Sequence, residues 1–200
     1  METAIEKIVN DVYEQRYCVL DNFISANEMA TLVQKINILY KNKQLKQAGI
    51  GKNAEHLTNT DIRSDFIYWV DENDTELQSI FFHFITELTL SLNRRFYLGL
   101  KEHEFHLALY PPGSFYKKHR DAFKSDDARK ITVLLYLNQN WKSEDGGELI
   151  LYKDDNSSLT IEPLGGRLLV FESEMEHEVL ISNTNRYSLT GWIKNKSRLI

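Results

Sequence analysis

The sequence predicts a mainly β fold with N-terminal helices, in which a double-stranded β-helix (jelly roll) core is buttressed by the helices. Two observations support this. Apolar residues recur at helical spacing before about residue 100, whereas short β-like runs alternate with turn residues after about residue 103. No internal repeat or linker divides the chain, so residues 1–200 are predicted to form a single domain. Within it, residues 1–100 supply helical and strand support and residues 101–196 supply the jelly-roll core.

The first hundred residues contain three predicted helices. Capping boxes mark the start of two of them, at Ser25-Ala26-Asn27-Glu28 and at Thr75-Glu76-Leu77-Gln78. The predicted segments in chain order are a helix up to about residue 16, a strand over Tyr17–Leu20, the helix from Ser25, a polar loop over Lys43–Thr60, a strand over Asp61–Val70 and the helix from Thr75.

The second half of the chain reads as a series of short strands. The predicted strands are Glu104–Tyr110, Phe115–Asp121, Ile131–Asn138, Glu148–Tyr152, Ser158–Glu162, Arg167–Phe171, His177–Ser182 and Arg186–Lys194. Turn signals rich in proline and glycine separate several of them, as at Pro111-Pro112-Gly113 and Asp145-Gly146-Gly147. Eight short strands preceded by helices are typical of a jelly roll.

Composition excludes several classes of protein. Apolar residues make up 42% and charged residues 26% of the chain, as in ordinary globular proteins. The net charge of −5 disfavours a general nucleic-acid binder. Cys18 is the only cysteine, so no intrachain disulfide can form. We therefore expect a cytoplasmic protein without nucleic-acid or membrane partners, because no signal pattern and no apolar run of about 18 residues is present.

A histidine and an aspartate two residues apart indicate a metal site. His119 and Asp121 lie in a predicted strand, where residues i and i+2 share one face, and His177 follows after a long gap. Two imidazoles and one carboxylate form the facial triad of non-haem Fe(II) enzymes, which leaves positions open for substrates. A structural zinc site would use four protein ligands. The pattern predicts Fe(II) and oxygen chemistry.

An arginine opens the last predicted strand. Arg186, Ser188, Thr190 and Trp192 alternate along it and should share one face. An inward guanidinium can hold a carboxylate through two parallel hydrogen bonds, which lysine cannot do. Arg186 is therefore predicted to bind the far carboxylate of a keto-acid co-substrate.

The metal pattern by itself has low specificity. With 6 histidines and 29 acidic residues in 200, about one His-x-acid match is expected by chance. The sequence His119-Arg120-Asp121 is also similar to a kinase catalytic loop, but the asparagine and the glycine-rich phosphate loop of kinases are missing. His103 and His106 have no metal-ligand spacing and are predicted to be surface or partly buried residues.

Several separated segments carry a family resemblance. They are Tyr110-Pro111, Tyr116 to Asp121, Arg129 to Thr132, Tyr136 to Trp141, Gly146 to Leu149, His177 to Val179, Arg186-Tyr187 and Thr190 to Trp192, with Gln44-Leu45 and Asp61 to Asp65 upstream. In this order they resemble the 2-oxoglutarate- and Fe(II)-dependent prolyl hydroxylases, above all the hypoxia-factor prolyl hydroxylases and their bacterial counterparts. The resemblance covers about residues 15 to 195.

The resemblance implies three groups of site residues. These are Fe(II) ligands at His119, Asp121 and His177; 2-oxoglutarate contacts at Arg186, Tyr136, Thr190 and Tyr110; and substrate contacts at Tyr116, Arg129, Trp192, Arg63 and Asp65, together with the loop before Asp61. This loop, Lys43–Thr60, is longer than in the animal enzymes, and Ser64 stands where a glycine is usual. Both departures concern the choice of substrate and leave the chemistry unchanged.

The implied activity is a 2-oxoglutarate-dependent dioxygenase acting as a peptidyl-prolyl hydroxylase, of the prolyl 4-hydroxylase type. O2 and 2-oxoglutarate would be consumed to give succinate and CO2, with ascorbate as a further cofactor. Similar bacterial enzymes act on a proline of elongation factor Tu, which is the first expected partner. The alternatives are the same chemistry on another side chain or a small molecule, and a non-catalytic sensor that binds 2-oxoglutarate or a peptide. Nucleic-acid demethylation fits poorly with an acidic chain.

Overall fold

The structure, a computed structural model, describes residues 2–49, 61–122 and 128–195. The helices are α1 (Glu2–Gln15), α2 (Ala26–Lys41), α3 (Thr75–Leu77) and α4 (His83–Phe96). The strands are β1 (Tyr17–Leu20), β2 (Lys46–Gln47), β3 (Phe66–Trp69), β4 (Leu100–Tyr110), β5 (Tyr116–His119), β6 (Arg129–Tyr136), β7 (Leu149–Tyr152), β8 (Ser158–Ile161), β9 (Leu168–Glu172), β10 (His177–Val179) and β11 (Arg186–Asn195). None of the helices in these ranges is long and apolar enough to cross a membrane.

The strands form two antiparallel sheets. The larger has seven strands in the order β1-β9-β6-β11-β4-β3-β2, and the smaller has four in the order β5-β10-β7-β8. Neighbouring strands in both sheets are often far apart in sequence, as β11 is from β4 and β10 is from β5. The predicted mainly β fold with a double-stranded β-helix core and buttressing helices is confirmed.

The start of α2 agrees with the sequence prediction, whereas the start of α3 differs from it. Ser25 caps α2 with a complete capping box that includes Glu28. The box predicted at Thr75 was wrong by one residue. The cap of α3 is Asp74, whose carboxylate accepts a hydrogen bond from the Leu77 N–H at 3.2 Å. Lys35 from α2 binds the same carboxylate at 2.5 Å, which favours Asp74 as the cap.

The two faces of the larger sheet have different neighbours. One face contributes Leu107, Leu109 and Leu189 to an apolar cluster that also contains buried residues of α1, α2 and α4. The other face contributes Leu134 and Tyr136 to a second cluster, shared with the smaller sheet. Because side chains alternate along a strand, the even-numbered residues of β4, β6 and β11 are directed toward the smaller sheet. The candidate site lies on this side.

Candidate active site

The pairing of β5 with β10 brings the two histidines of the predicted triad together. His177 lies opposite His119 in the register. Asp121 lies two residues beyond the end of β5, in a bend whose backbone N–H donates to the Ser173 carbonyl at 3.1 Å. The predicted strand over Phe115–Asp121 was therefore too long, yet the three side chains still converge. Their ligand atoms all lie within 4.8 Å of one another.

The backbone sets the orientation of both imidazoles. The Nδ1 atom of His119 lies 2.7 Å from the Lys117 carbonyl oxygen, and that of His177 lies 3.1 Å from the Met175 carbonyl oxygen. A carbonyl oxygen only accepts, so each Nδ1 carries the proton and donates. Each Nε2 then presents its lone pair to the centre of the triad, 3.6 and 3.5 Å from the Asp121 carboxylate oxygens.

The charges of the triad suit a divalent cation. Burial opposes the charge of Asp121, but the neighbouring His177 and His119 hold the pKa of its carboxyl well below the usual range. The Thr132 hydroxyl also donates to this carboxylate at 2.9 Å. Burial, aided by His119, lowers the pKa of His177 to about 4. One carboxylate and two imidazole lone pairs on one side of a cavity fit Fe(II) with further coordination positions open.

Arg186 lies deep in the same region, and one of its donors has no partner in the described part of the chain. It is 1% exposed, and its Nε donates to the Gly147 carbonyl oxygen at 2.9 Å. Its Nη2 and the nearby Tyr136 hydroxyl are both buried and make no hydrogen bond within the described ranges. Unpaired buried donors are costly and therefore rare. A guanidinium and a hydroxyl together fit the distal carboxylate of a keto acid.

Gly147 makes room for this arginine. Its φ is +68°, a conformation that favours glycine, and an added Cβ would lie only 3.1 Å from the Arg186 Cδ. The sequence showed Gly146-Gly147 as a turn and gave no sign of this second requirement. The turn before β7 therefore has a second role, because its glycine at position 147 lets the Arg186 side chain pack closely against the backbone.

One cavity of about 250 Å³ joins most of the predicted site residues. Both sheets line it. Among the predicted residues, its lining includes Arg63, Tyr110, Tyr116, His119, Asp121, Arg129, His177, Arg186, Thr190 and Trp192. Tyr136 and Asp65 are fully buried behind this lining.

A stack of side chains lies against His119. The Tyr116 ring is 3.5 Å from the His119 ring and nearly parallel to it, at 14°. The Arg63 guanidinium covers the Tyr116 ring at 4.3 Å. Asp65 in turn binds Arg63 through two hydrogen bonds of 2.8 and 2.6 Å. Arg63 and Asp65, predicted to contact substrate, thus form a buried ion pair that supports Tyr116.

A second cation covers the other aromatic residue predicted to contact substrate. The Arg129 guanidinium lies 3.4 Å from the Trp192 ring centroid and donates two hydrogen bonds to Glu104, at 2.9 and 2.8 Å. Trp192 also packs near Trp69, with ring centroids 6.1 Å apart. This side of the cavity is therefore aromatic, and the ion pair between Arg129 and Glu104 packs against its Trp192 ring.

Among the residues of the cavity wall that sequence reasoning missed are Trp69 and His106. His106 was predicted to be a surface or partly buried residue, but it is 4% exposed and lines the cavity. The available signal was its spacing, because it shares the even-numbered face of β4 with Ala108 and Tyr110. The alternation identifies His106 as a site residue only when Tyr110 is already known to face the site.

Comparisons with known proteins agree with this geometry. Residues 105–194 match the family model of the 2OG-Fe(II) oxygenase superfamily. The chain is 30% identical to the prolyl hydroxylase EGLN3 of Homo sapiens over 198 residues, which cover 94% of this chain and 82% of the relative. The mouse EGLN3 gives the same values.

Solved structures give the same result. A Pseudomonas putida prolyl-4-hydroxylase superposes with a TM-score of 0.86 and 34% identity, covering 96% of this chain and 99% of that one. A Trichoplax adhaerens prolyl hydroxylase, solved with a peptide fragment of the hypoxia inducible factor oxygen degradation domain, has a TM-score of 0.87 and 30% identity, covering 97% and 90%. The resemblance found in the sequence is confirmed, and this chain belongs to the prolyl hydroxylases of the 2OG-Fe(II) oxygenase superfamily.

Proposed function

We propose that this protein hydroxylates a prolyl residue of a protein substrate, using Fe(II), 2-oxoglutarate and O2. The observation that carries the proposal is the joint placement in one cavity of a His-Asp-His triad and a buried arginine, one of whose donors has no partner among the described residues. The family supplies the identity of the metal and the co-substrate. The substrate class follows from the prolyl hydroxylase relatives.

His119, Asp121 and His177 would hold the metal. Fe(II) bound there supplies the activation of O2 and the oxidative decarboxylation of 2-oxoglutarate to succinate and CO2 that drive C–H hydroxylation. The protein's part is to fix the orientation and tautomer of both imidazoles and to hold the Asp121 carboxylate. The two backbone carbonyls accept from each Nδ1, which leaves the Nε2 lone pairs directed at the metal position, and the Thr132 hydroxyl donates to the carboxylate.

Arg186 and Tyr136 would hold the distal carboxylate of 2-oxoglutarate. The Arg186 Cζ lies 5.1 Å from the Tyr136 ring centroid and 5.0 Å from that of Tyr110, so both rings restrict the guanidinium. Thr190 faces the same cavity, with its hydroxyl 3.0 Å from that of Ser188. A keto acid bound in this way would be oriented with its other end toward the triad.

Tyr116, Arg129 and Trp192 would contact the peptide, with Arg63 and Asp65 as supports. Arg63 also donates to the Gly49 carbonyl oxygen at 3.3 Å and so ties the ion pair to the start of the long loop. Residues 50–60, which include Gly51 and most of the predicted substrate loop, lie outside the described residues. Their role in gripping an extended peptide rests on their length and polarity.

The first protein substrate that we propose is elongation factor Tu. We also propose ascorbate as a further cofactor of the enzyme and a cytoplasmic location for it. The support for this substrate is the resemblance to bacterial prolyl hydroxylases that act on it. The intact triad and arginine favour catalysis over the role of a non-catalytic sensor.

The test is mass spectrometry of the host proteome with and without the gene. We expect a proline with an added mass of 16 Da that is present only in the strain carrying the gene. Purified enzyme with Fe(II) and 2-oxoglutarate should restore the modification in extract from the deletion strain. A modified residue other than proline, or a modified small molecule with no modified protein, would refute the prolyl proposal and favour one of the alternatives.

A further inference from the structure

His106 lies on the substrate side of the cavity, away from the Arg186 end. In the register, β4 residue Tyr110 is opposite Arg186, and His106 is opposite Thr190, four residues further along β11. Four residues of strand span about 13 Å. With C–C bonds of about 1.5 Å, the carbon chain of 2-oxoglutarate spans only about 6 Å. A keto acid anchored at Arg186 therefore ends well before His106.

The mouth of the cavity is next to His106. Its partner in β3 is Trp69, which is 50% exposed although it lines the cavity. A substrate entering from this side would contact this indole. His106 thus lies beside an exposed indole, in the wall of the cavity that also contains the triad.

His106 is the polar member of an aromatic cluster. Its ring centroid lies 5.1 Å from that of Trp69 and 5.5 Å from that of Trp192, and it is 4% exposed. Its Nδ1 is buried and has no hydrogen-bond partner among the described residues. A buried nitrogen left unpaired in a cavity wall indicates that a ligand completes its hydrogen bonding.

The chemistry of this cluster matches a prolyl peptide. Burial, together with the charge of Arg63, lowers the pKa of His106 to about 3, so its ring is uncharged and carries one N–H. The amide that precedes a proline has no N–H and can only accept. Aromatic faces such as those of Trp69 and Trp192 suit the apolar pyrrolidine ring. One donor between two aromatic faces is complementary to this group.

We infer that His106 is a specificity-determining residue whose imidazole N–H donates a hydrogen bond to a main-chain carbonyl oxygen beside the target proline, while Trp69 and Trp192 pack on the pyrrolidine ring. This inference rests on the proposed function and adds to it the residue that reads the peptide backbone. His106 would contact substrate only, and would make no contact with the metal or with 2-oxoglutarate.

Steady-state kinetics of three variants test the inference. His106→Leu removes the donor, and His106→Gln keeps an N–H donor. His103→Leu is the matched control. His103 lies on the same strand, its buried Nε2 has no hydrogen-bond partner among the described residues, and its ring packs near Phe82 and Phe105, away from the cavity lining. The probe is a synthetic library of capped nine-residue peptides with proline at the centre. Hydroxylation is read by mass spectrometry, and KM is then measured on the peptide that the wild type modifies best.

We expect His106→Leu to raise the peptide KM about tenfold, the scale of one lost hydrogen bond, with the 2-oxoglutarate KM within twofold of wild type. His106→Gln should recover most of the affinity, and His103→Leu should leave both KM values unchanged. A peptide KM unchanged in His106→Leu, or an equal rise in the 2-oxoglutarate KM, would overturn the inference alone. A wild type that modifies no peptide of the library would overturn it together with the protein-substrate proposal.

Discussion

Replacement of Arg186 by lysine tests the proposed co-substrate anchor. In the structure the guanidinium donates through Nε to the Gly147 carbonyl oxygen and keeps Nη2 available toward the cavity. Lysine has a single nitrogen on a flexible chain. It cannot keep the bond to Gly147 and also hold a carboxylate through two parallel bonds.

The expected loss follows from these bonds. The variant gives up one charge-assisted hydrogen bond to the carboxylate and strains or loses the bond to Gly147, which together are worth about 2 to 3 kcal/mol. The 2-oxoglutarate dissociation constant should therefore rise about 30- to 150-fold. Tyr136→Phe removes one neutral hydroxyl and should cost about 1 kcal/mol, or about fivefold.

The assay is equilibrium binding of 2-oxoglutarate to the Mn(II)-loaded protein without O2, so that turnover does not interfere. Arg167→Lys is the matched control. It makes the same exchange in an ion pair with Asp21, at 2.6 and 3.2 Å, outside the cavity. This control should bind as the wild type does. Binding by Arg186→Lys within threefold of wild type would refute the anchor and require another group for the distal carboxylate.

Four further predictions concern the triad, the Arg63–Asp65 ion pair, the pH dependence of stability and the predicted loop over residues 50–60. Asp121→Ala should abolish 2-oxoglutarate-dependent succinate formation while the circular dichroism spectrum stays that of the wild type; normal turnover would exclude the triad. Asp65→Ala should lower the free energy of unfolding by about 3 kcal/mol, because it leaves the Arg63 guanidinium buried without its partner; a urea-derived loss below about 1 kcal/mol would contradict this. The free energy of unfolding of the metal-free protein should decrease as the pH falls from about 6.5 to 4. In this range His177 takes up a proton in the unfolded protein, whereas the folded residue, with a pKa of about 4, does not. If the urea midpoint of His177→Gln depends on pH as strongly as that of the wild type, the prediction is wrong. Deletion within residues 50–60 should abolish modification of the protein target but leave uncoupled 2-oxoglutarate turnover, and unchanged modification would favour a small-molecule substrate.

The chemistry of the site was predictable because it depends on residue types and short periods. His119 and Asp121 are close in sequence, and Arg186 opens a strand whose alternation is visible. The jelly roll was predictable for a similar reason, since its strands and turns are local patterns. Assigning 2-oxoglutarate to Arg186 needed the family resemblance in addition.

The parts that sequence reasoning missed depend on non-local pairing. No local pattern shows that His177 lies opposite His119, or that Trp69 on β3 lies beside His106 on β4. Local competition explains other differences. Asp74 takes the cap from Thr75 because Lys35, distant in sequence, holds its carboxylate. The structure therefore differs from the sequence prediction mainly where residues distant in sequence come into contact.

The most direct test of the prolyl hydroxylase assignment is the fate of O2 in a single reaction. The purified protein is incubated under ¹⁸O2 with Fe(II), 2-oxoglutarate and a peptide that contains the target proline in unmodified form. Succinate and the peptide are then both analysed by mass spectrometry. The assignment predicts one succinate formed for each peptide modified, with ¹⁸O incorporated at proline. Succinate formation without a change at proline, or a hydroxyl oxygen derived entirely from water, would contradict it.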